Sequence, residues 1–144
     1  MAKDINTEIL INARPERVWA ILTNYESYPK WNPFIRSILG EVKVGNKINI
    51  RISSGSREMG FSPKVLSYTE HKVICWRGHF LIPGIFDGTH RFELIPTGDG
   101  CTLFKHSERF TGLLLPFMSR QLANTKQGFE AMNTRLKEES EKVE

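Results

Sequence analysis

The turn Thr97-Gly98-Asp99-Gly100 constrains this chain more than any other short stretch, because it joins two alternating runs, residues 88–96 and 101–111. Side chains on a strand point to opposite faces with a period of two. One face of the pair therefore carries Arg91, Glu93, Leu103, Lys105, Ser107 and Arg109, with Ile95 the main exception. The other carries His90, Phe92, Leu94, Phe104, His106, Glu108 and Phe110. The simplest antiparallel register through the Gly-rich turn sets His90 opposite Glu108 and Phe92 opposite His106. Ionisable groups on an apolar face are costly unless paired or wetted. The pattern predicts a lined pocket more than a plain core.

The rest of the chain supplies strands before this hairpin and a helix after it. Residues 4–13 read as the first strand, with Ile5, Thr7, Ile9 and Ile11 on one face. Arg14-Pro15-Glu16 ends it and opens a helix, since proline's missing N–H is not needed in a first turn and Glu16 suits the positive helix end. Val18, Trp19, Ile21 and Leu22 make that helix amphipathic, and a further turn of helix fits near Tyr28-Pro29. Strands are then expected at 35–42, 47–53, 59–68 and 72–80. Pro63 marks an edge or bulge in the fourth of the seven strands, because it cannot donate to a ladder. In the fifth, Ile74, Trp76, Gly78 and Phe80 point inward if Arg77 and His79 are wet.

Pro116 is read as the start of a final helix reaching Glu141, with Met118, Leu122, Phe129, Met132 and Leu136 on one stripe. Roughly 25 residues at ~1.5 Å each span a whole sheet. Its charged last turns, 137–144, are expected to fray. The fold class is α+β: a seven-stranded curved antiparallel sheet wrapped around a long C-terminal helix, with a short helix pair after the first strand. Such a layer pair buries one sheet face and leaves space beneath the helix.

Composition narrows the function. At 144 residues the chain is expected to form a single domain, 1–144. Twenty Lys and Arg against 16 acids give a formal +4, with the two signs interspersed. No basic face with exposed aromatics emerges, so nucleic acid is not an expected partner. No stretch approaches the ~20 apolar residues of a membrane span, and the start lacks a signal peptide's apolar run. Cys75 and Cys101 lack metal-ligand spacing and read as buried thiols in a reducing cytoplasm. Phosphate-loop, dinucleotide and nucleophile-elbow motifs are missing from the sequence, and no cofactor is expected.

The stretch Ile11-Asn12-Ala13-Arg14-Pro15-Glu16-Arg17-Val18-Trp19-Ala20-Ile21-Leu22-Thr23 resembles the opening of the START, ring-hydroxylase and polyketide-cyclase (SRPBCC) superfamily. Tyr28-Pro29-Lys30-Trp31-Asn32-Pro33-Phe34 is similar to the loop that follows in that superfamily. Trp76-Arg77-Gly78, Phe86 to Leu94 and His106 to Gly112 resemble an uncharacterised, ligand-binding branch of it. The likeness spans essentially the whole chain. It implies a helix-grip fold with a deep cavity between sheet and C-terminal helix, and it carries no catalytic set across.

Residues 90, 106 and 108 have two readings. His90, His106 and Glu108 either orient a ligand's polar group in the cavity or form a buried structural cluster. As an enzyme, the chain would use His90, His106 and Glu108 for proton transfer, in a cyclase, aromatase or hydrolase. No metal site is expected, because His and Glu on two strands of one face arise readily by chance. The candidate apolar lining is Trp31, Phe34, Phe61, Trp76, Phe92 and Phe104, with Met118, Leu122 and Phe129 from the helix. Trp31 to Phe34 also serve simply to lock a helix-to-strand connection. Gly128, costly inside a helix, signals close approach of a neighbour or volume kept free. The apolar loops 81–86 and 113–117 cap the core, make a homodimer contact, or form an entrance. The leading expectation is a binding protein for a small hydrophobic or amphipathic molecule, without stable membrane insertion. An enzyme with the same cavity is the alternative, and a protein-interaction module the third.

Overall fold

The computed structural model describes residues 2–80 and 82–143. Met1, Leu81 and Glu144 lie outside the described residues, and with them one residue of the first apolar loop and the end of the charged tail. The elements are β1 (Ala2–Ile11), α1 (Pro15–Leu22), a 3-10 turn at Tyr25–Ser27, α2 (Tyr28–Trp31), β2 (Ile35–Leu39), β3 (Asn49–Ser54) and β4 (Arg57–Phe61). β5 (Lys64–Thr69), β6 (Val73–His79), β7 (Asp87–Pro96), β8 (Thr102–Thr111), a 3-10 turn at Leu115–Phe117 and α3 (Ser119–Glu141) complete them. All strand pairs are antiparallel, in the orders β1-β8-β7-β6-β5 and β2-β3-β4.

Eight strands replace the expected seven because the fourth run divides at Ser62-Pro63. Its first half, β4, pairs with β3 through Ile50–Phe61; its second half, β5, pairs with β6 through Val65–Trp76. Proline cannot donate to a ladder, so the chain changes partners there. The two sheets remain joined: Lys47 bridges Lys64, Ile48 N donates to Pro63 O at 3.0 Å, and Val65 N donates to Asn46 O at 2.9 Å. The result is one curved wrap around α3.

α1 starts at Pro15 with Glu16 in its first turn, and buries Val18, Trp19 and Leu22. Asn32 then sets the entry to β2, its Oδ1 accepting from Phe34 N and Ile35 N, both at 2.9 Å. This turn aims the Phe34 ring at α3, where Gly128 receives it. A Cβ on Gly128 would lie 2.3 Å from Phe34 Cδ1. The helix glycine is thus explained by close approach of a ring. Alanine gains about 1 kcal/mol of helix propensity, but overpacking costs typically ~1–3 kcal/mol. Gly128→Ala is expected to lower the urea midpoint; a raised midpoint would show that Phe34 moves aside freely.

α3 begins later and ends more firmly than its sequence suggests. Pro116 belongs to the separate 3-10 turn, and the helix opens at Ser119. Its far end does not fray before Glu141: Lys137 Nζ donates to Leu10 O at 3.0 Å and Asn12 N donates to Glu141 Oε2 at 2.7 Å. Phe129, Met132, Asn133, Leu136 and Ser140 form its buried stripe. Among the described residues, no helix is long and apolar enough to cross a membrane.

Candidate functional site

The register of β7 and β8 places His90 opposite Glu108 and Phe92 opposite His106. All four face α3, and the neighbouring β6 adds Trp76 opposite His90. The Trp76 and His90 rings stack at 4.5 Å and 11°. His106 lies deeper, fully buried, and stacks on Phe129 at 3.7 Å and 13°.

A chain of hydrogen bonds determines the protonation of both imidazoles. The Thr7 hydroxyl donates its single proton to His106 O at 2.7 Å, so it must accept from Asn133 Nδ2, 2.9 Å away. That orientation turns Asn133 Oδ1 toward His106 Nδ1 at 2.9 Å, which makes Nδ1 the protonated nitrogen. His106 Nε2 is then an acceptor, and His90 Nε2–H donates to it at 2.8 Å. His90 Nδ1 is left with a lone pair that is buried and without a partner. Burial, and secondarily the other imidazole, holds His90 well below the ordinary histidine range; burial brings His106 down to about 3, with Asn133 opposing. Both rings are neutral at physiological pH.

Glu108, the cross-strand partner of His90, lines the same wall. Gly88 makes room for its carboxyl: a Cβ there would come within 2.2 Å of Oε2. The residue is only partly buried, since the carboxyl borders the cavity. Loss of hydration pushes its pKa up to about 8, so at neutral pH it holds its proton.

The cavity measures about 1100 Å³. Trp76, Gly78, His90, Glu108 and Phe110 form its floor on the large sheet, and Ile50, Ile52 and Phe61 one side. The β3–β4 turn and the first turns of α3, from Met118 to Thr125, close over it. Lys47, Arg57, Met59, Phe80 and Arg120 make an exposed rim.

Of the residues read from the sequence as lining, Phe34, Phe61, Trp76, His90, Glu108 and Met118 border this space. Trp31, Phe92, Phe104, His106, Leu122 and Phe129 stand behind the wall in the hydrophobic core. Trp31 packs edge-on against Tyr28 at 5.3 Å instead of reaching the cavity. Phe80, expected inward, is 47% exposed. Asn133 and Thr7 went unnoticed as site residues; the signal was a polar amide on the buried helical stripe, four residues after Phe129 and three before Leu136. Among the described residues no group of three or more His, Cys, Asp or Glu is arranged to hold a metal ion. His90 and His106 bond each other through the nitrogens a shared metal would need.

The two apolar loops are zipped together beside the cavity. Leu113 N donates to Gly84 O at 3.0 Å, and Leu114 N donates to Ile85 O at 2.9 Å. Gly112 permits this at φ 128°, since a Cβ would fall 2.4 Å from Ile85 O. Leu115 enters the core, whereas Ile82, Leu113 and Phe117 stay exposed.

The model of one protein family, described as polyketide cyclase / dehydrase and lipid transport, matches residues 2–141. The chain belongs to this family. Its helix-grip architecture recurs in solved structures that share little of the family member's sequence. The Zhui aromatase/cyclase from Streptomyces sp. R1128 superposes with a TM-score of 0.79 at 12% identity, over 98% of this chain and 94% of that one. Norcoclaurine synthase from Thalictrum flavum, in complex with dopamine and hydroxybenzaldehyde, gives 0.73 at 14%, over 100% and 90%. A START superfamily protein from Mycobacterium smegmatis gives 0.70 at 18%, over 94% and 97%. At these identities the likeness shows the fold. No curated protein matches the sequence.

Proposed function

We propose that this family member binds a small hydrophobic or amphipathic molecule in the cavity between sheet and α3, and that His90 and Glu108 hold an uncharged polar group of it. His90, whose Nδ1 is buried without a partner, and Glu108 both line a space of about 1100 Å³, and that juxtaposition carries this reading. A buried acceptor without a donor costs about 1–3 kcal/mol, and a ligand hydroxyl or N–H relieves it. Glu108, protonated, offers a donor on the same cavity wall. A charged group on this floor would face the neutral His90 ring and an un-ionised acid, with nothing to pair it. Apolar walls supply affinity at ~25 cal/mol per Å² of ligand surface, less the cost of association.

The test uses N-phenylnaphthylamine as a fluorescent occupant, displaced by naphthol or by naphthalene. Naphthol is expected to win by roughly tenfold in the natural protein, about one hydrogen bond's worth. In His90→Phe that advantage should vanish while naphthalene binds as before. Equal displacement by both in the natural protein would remove the polar subsite from the account.

A second reading is favoured by the Glu108 proton. A carboxyl with a pKa of about 8 is a competent general acid at neutral pH, as a cyclase- or hydrolase-type reaction requires. His90, depressed by burial, is suited to accept a hydrogen bond and poorly suited to act as base. Under this reading Glu108→Gln retains binding and loses turnover. The free thiols of Cys75, buried, and Cys101, half-buried, support a reducing, cytoplasmic setting.

A further inference from the structure

The charge around the cavity is one-sided. Among the described residues that line it, Lys47, Arg57 and Arg120 are cationic, and Glu108 is the sole acid. Glu108 sits on the floor and holds its proton at neutral pH, so it does not offset the three cations. None of the three has an ion-pair partner among the described residues, although Arg51, a strand neighbour, is paired to Glu58 at 2.8 Å. Arg57 and Arg120 share one end of the cavity, where Gly55 of the β3–β4 turn faces Asn124, one helical turn after Arg120. A cleft lined by one sign of charge with apolar walls focuses its field on whatever enters.

The start of α3 points the same way. Its first turns form part of the cavity wall through Arg120, Gln121, Asn124 and Thr125. Met118 at the N-cap makes no side-chain cap, and the first turn contains no acidic residue. Free N–H groups and the positive end of the helix dipole call for an anion there, and the chain places Arg120 instead. The opposite arrangement holds at α1, where Glu16 occupies the first turn. An independent mark of a ligand is His90, a lining residue of the same space whose Nδ1 is buried and unpartnered.

We propose that the cavity selects an anionic amphiphile, with its oxyanion at the rim between Arg57 and Arg120 and its uncharged end against His90. This rests on the binding reading above and names the class of molecule that reading leaves open. The apolar body spans the aromatic wall between the two polar ends. The rim keeps the anion hydrated on its outer side, which spares the charge the cost of full burial.

Two dyes that differ by one sulfonate test it: anilinonaphthalene sulfonate and N-phenylnaphthylamine. At low ionic strength the sulfonate should bind about tenfold tighter than the neutral dye and displace it, and the preference should shrink between about 10 mM and about 500 mM salt as the charges are screened. Arg57→Gln with Arg120→Gln should erase the preference and leave the neutral dye unaffected. Lys43→Gln with Lys126→Gln, which removes equal charge away from the rim, should retain it. Inorganic sulfate at matched ionic strength should displace neither dye. The anion inference is overturned if the dyes bind alike, if both double variants behave alike, or if sulfate alone competes. Failure of both dyes to bind would instead overturn the cavity-binding reading itself.

Discussion

His106→Phe is expected to destabilise the protein by roughly 2–4 kcal/mol although it fills the same space with a more apolar ring. The phenyl ring can keep the stack on Phe129, now 3.7 Å between ring centres. It cannot accept from His90 Nε2 or donate to Asn133 Oδ1, which stand 2.8 and 2.9 Å from the imidazole nitrogens. Two buried polar groups lose their partners together, at about 1–3 kcal/mol each. His106→Ala should cost more, about 3–5 kcal/mol, because it also leaves a void among Phe34, Phe92, Phe104 and Phe129. The decisive measurement is a double-mutant cycle in urea. Adding Asn133→Leu to His106→Phe removes the orphaned amide, so the pair should cost clearly less than the sum of the two single changes. Strict additivity would mean that Asn133 and His106 do not act as one unit.

That cluster also shows where sequence reading succeeds and where it stops. Alternation with a period of two is local, so His90, His106 and Glu108 were legible as one inward face, and the Gly-rich turn was enough to give the β7–β8 register. Depth along that face is not local. His90 and His106 are diagonal neighbours on adjacent strands and share a face, yet Phe129 stacks on His106 while His90 borders the cavity. Which of the two is a core residue depends on where α3 crosses the sheet. Phe34 against Gly128 helps to set that crossing, a contact far apart in sequence. Pro63 was legible as an interruption, whereas the transfer from β3 to β6 depends on long-range pairing through Lys47 and Lys64. The charged end of α3 looked frayed for the same reason: its stabilising partners, Leu10 and Asn12, lie at the opposite end of the chain.

Stability is expected to peak near pH 6.5 and to fall on both sides, for two different reasons in one cluster. On the acid side the folded protein keeps His90 and His106 neutral, whereas the unfolded chain protonates them below about 6.5. The unfolded state then binds more protons, and stability drops as pH falls. Glu108 acts in the opposite sense. Folded, it retains its proton up to about 8; unfolded, it ionises near 4.5, so stability drops as pH rises between those values. Between 4.5 and 6.5 two histidines outweigh one carboxyl, and above 6.5 the carboxyl acts without them. Other displaced groups titrate outside this window: Asp99 and Glu141 are lowered below it, and Tyr25, Tyr28, Tyr68, Cys75 and Cys101 are raised above it. Each pH unit is worth about 1.4 kcal/mol per group, which sets a ceiling on the order of 5 kcal/mol for Glu108, reduced by water in the cavity. Glu108→Gln should therefore stabilise the protein by a few kcal/mol at pH 9 and change it little at pH 4, removing the alkaline limb of the profile. Urea titrations of both proteins across that range provide the check. A variant that tracks the natural protein in parallel from acid to alkaline pH would show that Glu108 is already ionised in the fold, and would take the uncharged floor of the cavity with it.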